Sequence, residues 1–165
     1  MDSEKYRVDE FKKAMGNYPT GVTVVTALDE NGKPMGLTVN SFASVSLDPL
    51  LILWSIDKRL YSYEAFQKVE QFAVNILAEE QGEVCQIFSS KIEDRFAQCK
   101  WSKSSNSLPI LEDTLAVLQC KVFNRINAGD HTIMIGEVIE IHNQDKNPLL
   151  YHRRTIGPIP STFYK

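Results

Sequence analysis

Most apolar positions of this chain fall in short runs that read as strands. Helical spacing surfaces only briefly. In "VDEFKKAMGNYPTG", Val8, Phe11 and Met15 fall at i, i+3 and i+7 and Gly16 offers a stop, so a short helix opens the chain. "GVTVVTAL" then reads as a strand, and the Asn31-Gly32 pair in "DENGKP" is a strong hairpin signal. The return strand is "GLTVNSFASVSLDP", residues 36 to 49. Its odd positions are apolar except Ser41, and its even positions are polar except Phe42. A strand whose two faces cross at adjacent residues predicts a bulge there, and bulges re-aim side chains near functional sites.

Further on, "LLILWSI" is a continuous apolar run, expected to be a strand buried on both faces. "DKRLYSYEAFQKV" is a polar loop turning into a short helix, with Ser62 placed as its N-cap. "QFAVNIL" is another strand, and Val84, Ile87 and Phe88 mark a helix within "AEEQGEVCQIFSS". "KIEDRFAQCKWSKSSNSLPILED" is long, mixed and loop-like, and long loops in compact domains are often functional. Two long strands, "TLAVLQCKVFNRI" and "HTIMIGEVIEIHN", are joined by "NAGD", and "PLLYHRRTIGPIP" closes as a short strand or extended tail. Strands joined mostly by short turns, with few helices between them, point to an antiparallel β-barrel with peripheral helices rather than a parallel α/β sheet. Residues 1–165 carry no linker, repeat or low-complexity block and are expected to form a single domain.

The totals add mainly exclusions. The chain is 43% hydrophobic and 24% charged with a formal net charge of −3, which gives no reason to expect nucleic acid as the main partner. No stretch resembles a signal peptide or is long enough to span a bilayer, so no membrane association is expected. Three cysteines (Cys85, Cys99, Cys120) without a CxxC read as reduced thiols of a cytoplasmic protein. There is no GxG dinucleotide fingerprint, no P-loop and no GxSxG elbow, and His131, His142 and His152 lack metal-ligand spacing, so no metal site is expected. An enzyme of this composition would take its reactive atoms from a cofactor.

Three features fit a phosphate-bearing aromatic cofactor. The small polar side chains Thr38, Asn40, Ser41, Ser44 and Ser46 let backbone approach a ligand, although a solvent-facing strand would read the same way. Lys58 and Arg59 precede a helix start, which favours anions; an exposed basic turn is the alternative. His131 in "AGDHT" stands at a strand mouth, where it either meets a ligand or satisfies the turn.

"PTGVTVVTA", "GLTVNSFASVSLDP", "FAVNIL", "EDRFA", "AGDHTIMIGEV" and "PLLYH" occur in an order that resembles the flavin reductase family, the reductase components of two-component flavin monooxygenases. The likeness runs from about Phe11 to His152. It implies an FMN-binding split β-barrel of Greek-key topology, a homodimer, and NAD(P)H-dependent reduction of FMN or FAD by hydride transfer from nicotinamide C4 to flavin N5, with the reduced flavin passed to a monooxygenase. It also implies that Thr38, Val39, Asn40 and Ser41 line the flavin and that Phe42 packs beside the ring system. Ser55, Asp57, Lys58 and Ser62 would reach the ribityl and phosphate region, and Ser89, Ser90, Arg95 and Phe96 would close the site. His131 would face the nicotinamide with Tyr151 nearby. Two rivals stay open on the residues: a flavin-binding electron carrier without useful NAD(P)H activity, and a non-flavin barrel that grips a partner protein. FMN against FAD, and NADH against NADPH, are undecided by these motifs.

Overall fold

A computed structural model describes residues 3–164 of the chain. A seven-stranded antiparallel sheet is its centre, in the order β3 (Pro34–Val39), β2 (Thr23–Leu28), β6 (Gln71–Ile76), β9 (Ala116–Ala128), β10 (His131–Asn143), β5 (Leu50–Asp57) and β4 (Ala43–Leu47). The two edge strands, β3 and β4, are consecutive in the chain and only residues 40–42 lie between them. A three-residue link spans at most about 14 Å between its flanking Cα atoms, so the sheet must roll until its edges meet there. The split of the barrel therefore falls on the stretch where the polar pattern crosses faces. Around this sheet sit a three-stranded sheet of β1 (Thr20–Gly21), β11 (Leu149–His152) and β12 (Thr155–Pro158), and a small hairpin of β7 (Trp101–Lys103) and β8 (Pro109–Leu111). The helices are α1 (Ser3–Asn17), α2 (Tyr63–Phe66) and α3 (Gly82–Ser89). The architecture is mainly β, as the run of strands joined by short turns predicts.

Two large apolar clusters hold the sheet, with a smaller one of Ala73, Leu108 and Val117 beside them. In the first, Trp54 is fully buried and meets Phe66 and Phe72 edge to face, with centroids 5.4 and 5.7 Å away. Gly136 on β10 faces this cluster so closely that an added Cβ would lie 2.5 Å from Phe72 Cζ. In the second, Val22, Val24, Leu77, Phe88, Phe96 and Leu149 bring α3 and the long loop onto β2. Between the clusters Asn75 is fully buried and fully used. Its amide donates to Val24 O (2.9 Å) and Thr26 Oγ1 (3.0 Å), and its oxygen accepts from the Leu111 N–H at 2.9 Å. Thr26 in turn donates to Pro109 O. These bonds satisfy groups that would otherwise cost free energy in a dry interior, and they tie the β7–β8 hairpin to the sheet.

Several expectations change. "LLILWSI" is not buried on both faces: burial alternates, with Ile52, Trp54 and Ile56 inside and Leu51, Leu53 and Ser55 partly exposed, because the outer face of β5 has no covering layer in this chain. The bulge expected at Ser41-Phe42 is a break between strands, and the register shift lies a few residues later, between Ser44 and Ser46. Ser62 precedes α2 but its hydroxyl makes no cap bond, because its backbone is already helical (φ −82°, ψ −1°) rather than extended. The opening helix is longer than its apolar spacing suggests and none of its residues is buried; Phe11 is 67% exposed. The closing segment is a complete hairpin, with Arg153 and Arg154 as its two turn residues.

Candidate functional site

The junction 40–42 is flanked by two sets of side-chain bonds, and both use hydroxyl protons on protein carbonyls. On the β3 side, Thr38 Oγ1 donates to Cys85 O of α3 at 2.8 Å. Ser89 Oγ donates to the same carbonyl at 2.8 Å, and Ser90 Oγ donates to Ile87 O at 3.0 Å. Arg95 completes this side: its guanidinium donates to Gly36 O (2.6 Å) and Ser90 O (2.5 Å). Val39 is buried, and its carbonyl accepts from Thr23 Oγ1 at 3.0 Å. On the β5 side, Ser41 Oγ accepts from the Ser55 N–H at 2.9 Å and donates to Ser55 O at 3.3 Å, carrying the contact with β5 past the end of the β4–β5 ladder. Phe42 is half-buried and packs on the Trp54 cluster. Asn40 is exposed, and the backbone of 40–42 belongs to neither ladder.

Once a hydroxyl donates its proton to a carbonyl, it meets a ligand only as an acceptor. Thr38, Ser41, Ser89 and Ser90 are therefore stitches first.

A third group gathers where β5 ends beside the start of β10, with Asp57 paired to His131 across the ladder. Arg59 forms a fork on Asp57 (Nη2–Oδ2 2.7 Å, Nε–Oδ1 3.1 Å), and these hydrogen bonds hold the Asp57 carboxyl well below the usual carboxylate range. His131 Nδ1 lies 2.7 Å from Asp130 Oδ1, which lowers the Asp130 carboxyl in the same way. Lys58 Nζ donates to Asn127 Oδ1 and to Gly129 O (2.9 Å), and its backbone N–H to Asp130 O (3.0 Å), so it braces the turn that carries His131. An ammonium has three donors, and one remains for an anion. Nearby, Tyr63 OH and Thr132 Oγ1 share a 2.7 Å hydrogen bond, which seats α2 on β10.

The structure thus brings Thr38, Ser89, Ser90 and Arg95 together, Ser41, Phe42 and Ser55 together, and Asp57, Lys58 and His131 together. Ser55 and Asp57 are alternate residues of one strand and link the last two groups on one side. Two candidates stand apart. Phe96 is a buried core ring, edge to face with Phe88 (5.1 Å) and Trp101 (5.3 Å). Tyr151 lies opposite Thr20 on β11 and packs on the same cluster. Ser62 is half-buried at the start of α2. What the residue pattern did not reveal is the role of the Cys85 and Gly36 carbonyls, because a main-chain acceptor leaves no mark in side-chain identity, and of Asn127, which lies 69 residues from Lys58 in the chain. The three thiols are unpaired, and burial raises each, Cys120 up to about 12, so none is poised as a nucleophile. No metal-binding cluster and no helix long and apolar enough to cross a membrane occurs among the described residues. A cleft of about 640 Å³ opens beside Leu28, Lys68 and Gln71, and no residue of the junction lines it.

The flavin reductase like domain family matches residues 15–160. The reductase component of a flavin-dependent trigonelline monooxygenase from Acinetobacter baylyi is 44% identical over 147 residues, covering 89% of this chain and 47% of that protein. An NADH-dependent FMN reductase, SmoA, from Agrobacterium fabrum is 40% identical, covering 89% of this chain and 83% of that protein. Among solved structures, an NADH:FAD oxidoreductase from Streptomyces globisporus, crystallised with NAD and FAD fragments, superposes with a TM-score of 0.88 at 31% identity, covering 97% of this chain and 96% of that one. The chain spans about half the length of the Acinetobacter relative.

Proposed function

Since the chain belongs to the flavin reductase family, we propose that it is an NAD(P)H:flavin oxidoreductase that reduces FMN or FAD and supplies the reduced flavin to a monooxygenase. The observation that carries this reading is the junction at 40–42, where the barrel's edges meet without a ladder between small side chains. A flavin presents carbonyl oxygens on one edge of a flat ring, hydroxyls on its ribityl chain and a terminal phosphate. The donor set matches that order: junction N–H groups for the ring edge, the acceptor lone pairs of Ser41, Ser89 and Ser90 for hydroxyls, and the remaining Lys58 donor for the phosphate. When bound, the flavin supplies the two-electron acceptor and the nicotinamide the hydride. The chain's own residues bind, orient and exclude water, which is mainly a proximity effect. His131, oriented by Asp130, faces the nicotinamide side and fixes its approach.

Apolar side chains are exposed on α1 (Val8, Phe11, Met15) and on the sheet (Leu47, Phe123, Ile141). We assign these faces to a second copy in a homodimer, so light scattering on the purified protein is expected to return twice the chain mass, and a monomer at micromolar concentration would remove that assignment. Three unpaired thiols fit a cytoplasmic protein.

The deciding experiment is nicotinamide oxidation by the purified protein, with NADH or NADPH and with or without added FMN, FAD or riboflavin. Oxidation that rises with added flavin is the expected outcome and fixes both preferences. Flavin binding without oxidation would make the protein an electron carrier, and a colourless protein with no flavin affinity would make it a binding module.

A further inference from the structure

Arg95 is an unusual cation for the rim of a ligand site. Its guanidinium is half-buried, it forms no ion pair with a carboxylate among the described residues, and its hydrogen bonds go to two main-chain carbonyls from different elements. Gly36 O belongs to β3, two residues before Thr38, and Ser90 O caps the end of α3. The base of the side chain is itself immobilised. Arg95 immediately precedes Phe96, which is locked between Phe88 and Trp101. At the other end of the bond Gly36 has no freedom either: an added Cβ would lie 2.9 Å from Phe88 Cε1 and 3.2 Å from Thr26 Cγ2. Gly36 and Thr38 share one face of β3, and Thr38 binds the Cys85 carbonyl one turn before Ser89. One guanidinium therefore joins β3, the C-terminal end of α3 and the long loop at a single node, with a second stitch beside it.

We propose that Arg95 is a positioning residue: it sets where the end of α3, with Ser89 and Ser90, stands over the 38–42 stretch, and so fixes the width of the flavin cleft without touching the flavin. The proposal rests on the flavin reading above and specifies how Arg95 acts at the site that the family resemblance has it close. The planar fork suits it to two carbonyls held in fixed directions, which a lysine's single ammonium cannot reproduce. Burial lowers the Arg95 guanidinium from its ordinary value, as expected for a cation paid into a rim without a counter-charge. A cation spent on two carbonyls distinguishes neither FMN from riboflavin nor one nicotinamide from the other.

The test compares wild type with Arg95→Lys and Arg95→Met. Binding of FMN and of riboflavin is measured by flavin fluorescence well below each protein's Tm, and kcat and KM for flavin are measured with saturating NADH or NADPH. FMN and riboflavin are both expected to weaken by the same factor, about tenfold or more, in both variants. KM for flavin rises accordingly, while kcat at saturating flavin stays within about threefold. If FMN weakens far more than riboflavin, Arg95 is a phosphate ligand and the proposal is wrong. If flavin affinity is unchanged in Arg95→Lys while Tm falls, the stitch is merely structural and the proposal is equally wrong. Arg95→Lys keeps the charge, so it answers the question even if Arg95→Met does not fold. A wild-type protein that binds neither flavin overturns the reading beneath the proposal, an outcome visible before any variant is compared.

Discussion

The region around Trp54 and the region around Thr38 lie in one sheet and are held together by different means. Around Trp54, contact is carbon on carbon: Phe66 and Phe72 stand edge to face on the indole, and Cys120 and Met134 fill behind. Around Thr38, contact is oxygen on carbonyl: Thr38 and Ser89 meet on Cys85 O, and Arg95 bridges Gly36 and Ser90. Apolar packing gains from each ångström of closeness and fixes no direction. Hydrogen bonds are worth only about 1 kcal/mol each but fix angles. The first region can supply the stability of the fold, and the second can supply a cleft of defined shape at modest cost in stability.

The largest expected effect breaks the packed region. Gly136 has no room for a methyl group, since Phe72 Cζ and Cys120 Cβ would lie 2.5 and 2.9 Å from it and Phe72 is a fully buried ring. Gly136→Ala is expected to cost about 2 kcal/mol, or roughly 4–8 °C in Tm. Flavin affinity measured at 10 °C should not change. A Gly136→Ala protein with normal Tm and weakened flavin binding would mean that the two regions do not divide the work as described.

Thr38→Val sharpens the other side. The shape is nearly kept, one hydrogen bond is lost, and Cys85 O retains Ser89 as a partner. The stability loss is expected to be about 1 kcal/mol, while flavin binding weakens by about three- to tenfold because the end of α3 is freed from β3. Thermal melts and flavin titration of the same sample separate the two effects. A variant that loses Tm but holds flavin as tightly as wild type would place Thr38 with the packing instead.

How legible these regions were follows from what kind of atom does the holding. The strands announce themselves as short apolar and β-branched runs, and the β2–β3 turn through Asn31-Gly32, where Gly32 takes φ +75° and Asp29 accepts from the Asn31 and Lys33 N–H groups. The packed cluster was visible as "LLILWSI", although the run hides the fact that only alternate residues are inside. The residues of the rim were visible too, because small polar side chains break an apolar pattern. Their partners were not: the acceptors are the carbonyls of Cys85, Gly36, Ser55 and Ser90, and every residue has one. Phe96 shows the same limit from the other side. Beside Arg95 in "EDRFA" it reads as part of one motif, yet the structure sends the arginine to the rim and buries the ring.

The smallest expected effect concerns the β11–β12 hairpin, which belongs to neither region. His152 pairs with Thr155, so Arg153 and Arg154 are a two-residue turn, and both take positive φ, +49° and +61°. Such a turn matches the twist of its strands but favours glycine or asparagine, since a Cβ in the left-handed region costs roughly 1 kcal/mol. Arg153 recovers some of that cost, donating from Nε to Asn17 Oδ1 at 2.7 Å and from its backbone N–H to Gly16 O at 3.1 Å, which caps the end of α1. The Arg154 side chain forms no hydrogen bond or ion pair among the described residues. Arg154→Gly therefore removes strain without removing a contact, offset in part by the greater freedom of glycine in the unfolded chain. A net gain of about 0.5 kcal/mol, or roughly 1–2 °C in Tm, is expected. Arg153→Gly, which also loses Asn17, should gain nothing. Oxidation of NADH and NADPH by Arg154→Gly should match wild type if the turn is bystander to both regions. A selective loss with NADPH alongside the gain in Tm would show instead that the strain is kept for a cation at the nucleotide's 2′-phosphate, and would extend the rim from the junction to this turn.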